Sequence, residues 1–203
     1  EEVIRLNPDH PGANHFYIHA VESSSDPARG IPSADRLGNL MPGSGHLVHM
    51  PSHIYINVGR YADAVAVNES ASTLDAAYFR AYGKPTFYRI YFLHNLHFAA
   101  YAAMMEGRKD LALRYVRRME DEIPEGLLRQ YAGFIDGQIG SRMHVYVRFG
   151  MWSEILAVPE YPEYRKASRA LRRYARTVAL ANLGRTEEAR AELARFDQAA
   201  AAT

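Results

Sequence analysis

Apolar and polar positions along the chain follow a helical period. Aromatic and small residues recur at spacings of three and four, and no stretch sustains the strict alternation that would mark strands joined by hairpin turns. One arrangement comes back four times: a helix rich in aromatic and small residues, a Gly with a basic or aromatic residue, then a second amphipathic helix. The turns are Val58-Gly59-Arg60-Tyr61-Ala62-Asp63-Ala64, Glu106-Gly107-Arg108-Lys109-Asp110-Leu111-Ala112, Phe149-Gly150-Met151-Trp152-Ser153-Glu154-Ile155 and Leu183-Gly184-Arg185-Thr186-Glu187-Glu188-Ala189. Their glycines are 48, 43 and 34 positions apart, and a period of about 34 is that of tetratricopeptide repeats. Pro51, Pro85, Pro124 and Pro159 punctuate the boundaries between helices. The pattern predicts an all-α chain: a tetratricopeptide-like α-solenoid of helix-turn-helix repeats, with residues 1–203 forming a single domain of about four to five helix pairs.

Two histidine-rich blocks add a resemblance. His10-Pro11-Gly12-Ala13-Asn14-His15-Phe16-Tyr17-Ile18-His19-Ala20-Val21-Glu22 and Gly45-His46-Leu47-Val48-His49-Met50-Pro51-Ser52-His53-Ile54-Tyr55-Ile56, with Gly59-Arg60-Tyr61-Ala62-Asp63-Ala64-Val65 after them, resemble a group of histidine-rich bacterial tetratricopeptide-repeat proteins. The resemblance covers most of residues 1–120 and thins to the generic repeat pattern beyond. It implies a helical repeat fold and brings no particular reaction with it. Members of the group are typically longer than this chain. That agrees with an opening, Glu1 to Pro8, that reads like the last turn of a helix meeting a proline stop, so a fragment of a longer chain is expected.

Counting back from each turn glycine aligns the histidines. His53, His49 and His46 stand at −6, −10 and −13 before Gly59; His97 and His94 stand at −10 and −13 before Gly107, with Tyr101 at −6; His144 stands at −6 before Gly150. These offsets share one helix face. On a tetratricopeptide superhelix that face lines the concave groove. His15 and His19 are four apart like His49 and His53, and reach −10 and −6 if the connection Ser23 to Gly30 carries about four extra residues. Pro51 is read as a first-turn proline, starting its helix near Val48 with His46 in the preceding loop. His10-Pro11 opens the earlier helix, with Asp9 as its cap.

Imidazole is the commonest metal ligand, and i,i+4 pairs chelate well. For any one histidine alone, packing or a local hydrogen bond is the better explanation. Coincidence of register across adjacent repeats is what that explanation lacks. His15, His19, His49, His53, His97 and His144 are therefore the expected ligands of a transition metal (Cu, Zn or Fe), with His46 and His94 as outer contacts. Such a site requires the rings to approach within about 6 Å and face one another. Glu does not follow the first His of either pair, since Phe16 and Met50 stand there, so the metalloprotease motif is absent. Glu22 is the candidate base or further ligand; Tyr17, Tyr55, Tyr101 and Arg142 are the candidates for polarising a substrate, with repeat packing the better explanation for Tyr17 and Tyr55, which flank the histidine face. Carboxylates are scarce near these histidines and tyrosines crowd them, which favours a metal-dependent oxidoreductase over a hydrolase. The rival is a non-catalytic scaffold that binds a peptide or protein partner in the groove, the usual employment of such repeats.

Composition narrows the partners. The 203 residues carry 24 Lys+Arg against 23 Asp+Glu, so no basic excess points to nucleic acid or an anionic membrane. The longest purely apolar run, Phe98 to Met105, is far short of the roughly 18 residues a membrane span needs. Cysteine is absent, so any metal must be held by nitrogen and oxygen. A small-molecule or peptide ligand in the groove and a cytoplasmic location complete the expectation. The six basic residues Arg165, Lys166, Arg169, Arg172, Arg173 and Arg176 form a helical stripe, best explained as a solvated face or one packed on acidic neighbours such as Glu160 and Glu163.

Overall fold

The computed structural model describes residues 1–83 and 86–201, and among them every regular element is a helix. The order is α1 (Glu2–Leu6), α2 (Pro11–Val21), a 3₁₀ turn (Pro27–Gly30), α3 (Ile31–Leu40), α4 (Gly45–His49), α5 (Pro51–Tyr55), α6 (Tyr61–Tyr82), α7 (Thr86–Met105) and α8 (Lys109–Glu122). It continues with α9 (Glu125–Gln130), α10 (Ala132–Ile139), α11 (Arg142–Arg148), α12 (Trp152–Ala157), α13 (Lys166–Asn182) and α14 (Thr186–Ala201). No helix among the described residues is long and apolar enough to cross a membrane. Of the boundary prolines, Pro85 lies outside the described residues.

The four repeated turns share one geometry. Gly59, Gly107, Gly150 and Gly184 have φ of 79°, 76°, 64° and 72°. The N–H of the residue after each one donates to the carbonyl five positions back: Arg60 to Tyr55, Arg108 to Ala103, Met151 to Tyr146 and Arg185 to Leu180, each at 2.9 Å. This is a Schellman closure, in which a left-handed residue ends one helix and aims the chain at the next. Glycine takes that conformation without the steric cost a Cβ imposes.

The chain divides into two compact units, Glu1–Ala112 and Leu113–Thr203, with the boundary inside α8. The first unit is built on Ile18 of α2, Leu37 of α3, Ile54 of α5 and Phe92, Leu93 and Leu96 of α7, each at most 1% exposed, with Met50 from the α4–α5 junction. The core of the second includes Met119, Ile135, Met143 and Ile155, all similarly buried. There the basic stripe of α13 packs on acidic neighbours. Arg172 and Arg173 bond Glu160, Arg173 and Arg176 bond the buried Glu192, and Arg165 bonds the buried Asp136. Gly140 lets α10 and α13 approach closely, since a Cβ there would meet Leu171 at 2.7 Å.

Two local expectations are corrected in the first unit. The helix carrying the second histidine block begins at Gly45, not Val48, so His46 is helical. Met50 keeps helical dihedrals (φ −50°, ψ −37°), and α4 runs into α5 although Pro51 cannot donate to the ladder. A glycine is needed at the start because the Asp75 carboxylate of α6 occupies the place a Cβ would take. In α2 the cap is His10 rather than Asp9: the Ala13 N–H donates to His10 Nδ1 at 3.2 Å.

Candidate metal centre

α2, the α4–α5 pair and α7 bring six imidazoles into one contiguous cluster. Ring centroids are 4.9 Å apart for His15–His19, 5.1 Å for His15–His46, 5.2 Å for His19–His53, 4.9 Å for His49–His53, 4.9 Å for His49–His94 and 5.5 Å for His53–His94. Three groups of side chains each offer ligand atoms within 4.8 Å of one another: His15, His19 and His46; His49, His53 and His94; and His19, Glu22 and His53. Exposure changes across the cluster, from His19 at the surface to His49, which is fully buried. Phe98 walls the deep end, its ring 5.0, 4.6 and 4.7 Å from those of His49, His53 and His94.

The hydrogen bonds behind the rings decide which nitrogens face inward. Asn68 of α6 donates through Nδ2 to the Ala64 carbonyl at 2.7 Å, so its Oδ1 must be the atom turned to His49 Nδ1, 2.6 Å away. An amide oxygen only accepts, and His49 therefore carries its proton on Nδ1. Glu22 does the same for two rings: His53 Nδ1–H donates to Oε2 and His19 Nδ1–H to Oε1, the latter at 2.7 Å. With Nδ1 committed, Nε2 is the free donor atom of each ring. His49 Nε2 and His53 Nε2 stand 2.9 Å apart, and His15 Nε2 and His46 Nε2 3.1 Å apart. The lone pairs of His49 and His53, with both Nδ1 protons fixed, repel at that distance unless a cation, or a proton on one ring, lies between them. Nitrogens bound to one tetrahedral ion with bonds of about 2.0–2.1 Å are about 3.3 Å apart.

The electrostatics suit cation uptake. Burial pushes the imidazolium pKa of His49 well below its usual value, and brings those of His46 and His94 down to about 4, with the neighbouring histidines adding to the shift. His15 is lowered too, by burial first and then by His19. These rings are neutral near pH 7, as ligands must be. Burial works against the charge of Glu22, but the hydrogen bonds from His53 and His19 outweigh it and hold its pKa at about 2. One carboxylate thus joins the ring nitrogens of the cluster.

Of the side chains singled out in the sequence, His15, His19, His49, His53 and Glu22 meet in this cluster. His46 and His94, expected as outer contacts, stand among the ring nitrogens themselves. His97 follows His94 on α7 but is in none of the three groups. His144 belongs to the second unit, where its exposed ring lies 6.3 Å from that of Tyr174. Arg142, also of that unit, pairs with Glu120. Tyr101 is 40% exposed. Tyr17 bonds Glu1 and Arg29, and Tyr55 bonds Asp35. Spacing along the chain did not single out Asn68 or Phe98. Neither had a signal of its own, because each acquires its role through packing between helices.

No family model, no curated protein and no solved structure matches this chain.

Proposed function

We propose that this chain binds a transition metal, built on tetratricopeptide-like helix pairs, and that the histidine cluster of its first unit holds the ion through Nε2 atoms. The observation that carries this reading is the His49–His53 pair. Asn68 and Glu22 occupy both Nδ1 positions and leave two lone pairs 2.9 Å apart in a buried place. Metal-bound histidines typically donate their second ring N–H to a carboxylate or carbonyl in this way, which fixes the ring and raises its basicity. The four identical Schellman turns support the repeat scaffold.

A donor set of imidazoles without thiolate suits Cu, Zn or Fe. Redox chemistry at the ion is favoured over hydrolysis, because both oxygens of Glu22 are engaged by His19 and His53 and are not free to act as a general base. The surface edge at His19 is where a small ligand would arrive.

Metal content tests the reading. The protein, purified without a histidine tag and equilibrated with Zn(II) or Cu(II), is expected to retain at least one equivalent by ICP-MS after exhaustive desalting. His49→Ala/His53→Ala should retain less. Metal well below one equivalent and unchanged by the double substitution would overturn the proposal, and would favour a peptide-binding scaffold with histidines as groove hydrogen-bonding residues.

A further inference from the structure

The register of the repeats sorts the six rings in a way that one shared helix face does not. His49 and His53 stand at −10 and −6 before Gly59, and the third ring of their group, His94, stands at −13 before the next turn glycine, Gly107. His15 and His19 form the corresponding i,i+4 pair of the preceding helix, and the third ring of their group, His46, stands at −13 before Gly59. Each group is thus a chelating pair from one helix closed by the −13 histidine of the next repeat. The rule stops there for a visible reason. The following pair would be His97 with Tyr101, which is not a histidine, and the −13 position before Gly150 is Gly137. That accounts for His97 standing outside both groups.

We infer that the cluster is two metal sites, one at each junction between consecutive repeats: His15, His19 and His46 form the first, and His49, His53 and His94 the second. The inference rests on the metal-binding reading above and fixes its stoichiometry at two ions per chain. Glu22 links the sites, since one oxygen orients His19 of the first and the other orients His53 of the second. Three imidazoles per ion is the donor count that leaves a tetrahedral ion one open position. The first site rests on the approach of its ring nitrogens: His46 Nε2 is aimed at His15 Nε2, 3.1 Å away, and His46 Nδ1 is buried with no other partner to turn the ring elsewhere. The two sites also differ in environment. The second is walled by Phe98 and buried, whereas the first opens to solvent at His19 and borders Tyr91, whose ring lies 5.0 Å from that of His46.

The test is a Zn(II) titration of the whole, tag-free chain, with bound metal counted by ICP-MS after equilibrium dialysis and Co(II) substitution read by visible absorption. The wild type is expected to saturate at two equivalents. His15→Ala/His46→Ala should bring it to one, and so should His53→Ala/His94→Ala. His97→Ala and His144→Ala should each leave it at two. His19→Ala removes a ligand at the surface, where folding is least at risk, and should weaken one equivalent by tenfold or more while sparing the other. Saturation of the wild type at one equivalent overturns the two-site inference and leaves the metal-binding reading standing. So does retention of both equivalents by a circular-dichroism-verified His15→Ala/His46→Ala variant. A wild type that binds none overturns both.

Discussion

Asn68 and Glu22 decide what the histidines can do. Neither would coordinate a metal in the arrangement described, yet each removes an Nδ1 proton from the list of possible inward-facing atoms. Asn68→Leu should therefore weaken metal binding by about 10–100-fold, the usual cost of deleting such a support. It should also destabilise the metal-free protein by about 1–3 kcal/mol, because His49 Nδ1–H is left buried without its acceptor. Asn68→Asp keeps an acceptor in place and should retain most of the affinity. Competition against a chromophoric chelator measures the first effect and urea denaturation the second. Equal affinity for wild type and Asn68→Leu would show that the tautomer of His49 is not set from α6.

At the scale of the element, the α4–α5 segment carries three of the six rings, and Gly45 sets where it begins. A Cβ at this position would run into the Asp75 carboxylate, which accepts from Tyr88 Oη and Asn95 Nδ2 at 2.8 and 2.7 Å. Gly45→Ala must displace either that buried hydrogen-bond group or α4 itself. A loss of about 1–3 kcal/mol is expected, with weaker metal uptake, since His46 and His49 move with the helix. Gly43→Ala is the matched control, because nothing lies within 4 Å of a Cβ there. A urea midpoint for Gly45→Ala equal to that of Gly43→Ala would contradict this account. Much at this scale was legible in the sequence. The turn glycines, the all-helical class, the two i,i+4 histidine pairs and Glu22 all follow from spacing within a single helix. What spacing could not show was how rings combine across helices. His46 and His94 were ranked below His97 and His144 because the count compared positions within one register, whereas the groups join −10 and −6 of one helix to −13 of the next. The early start of α4 was hidden for the same reason: it depends on Asp75, a residue 30 positions away.

For the whole molecule, the histidines make folding pH-dependent without any metal. His46 and His94 have folded-state pKa values depressed to about 4 from the ordinary 6.5. The unfolded chain therefore binds more protons than the folded one once the pH falls below about 6.5. Their contribution to stability is complete above that value and is lost as the pH drops through about 4. Glu22 acts in a lower window, between its ordinary 4.5 and about 2, and with the same sign. The thermal midpoint of metal-free protein should fall steadily from pH 6.5 to 4, and His46→Gln/His94→Gln should flatten that slope. An unchanged slope in the double variant would place the acid sensitivity elsewhere, for instance in the carboxylates that hold α13 of the second unit.

The central claim is that imidazole nitrogens of the first unit hold a transition metal, and X-ray absorption of the Zn(II)-loaded chain tests it most directly. The account predicts a first shell at about 2.0–2.1 Å with the outer-shell scattering of several imidazole rings, reduced by His49→Ala/His53→Ala. A shell of oxygen alone, without imidazole scattering, would contradict it.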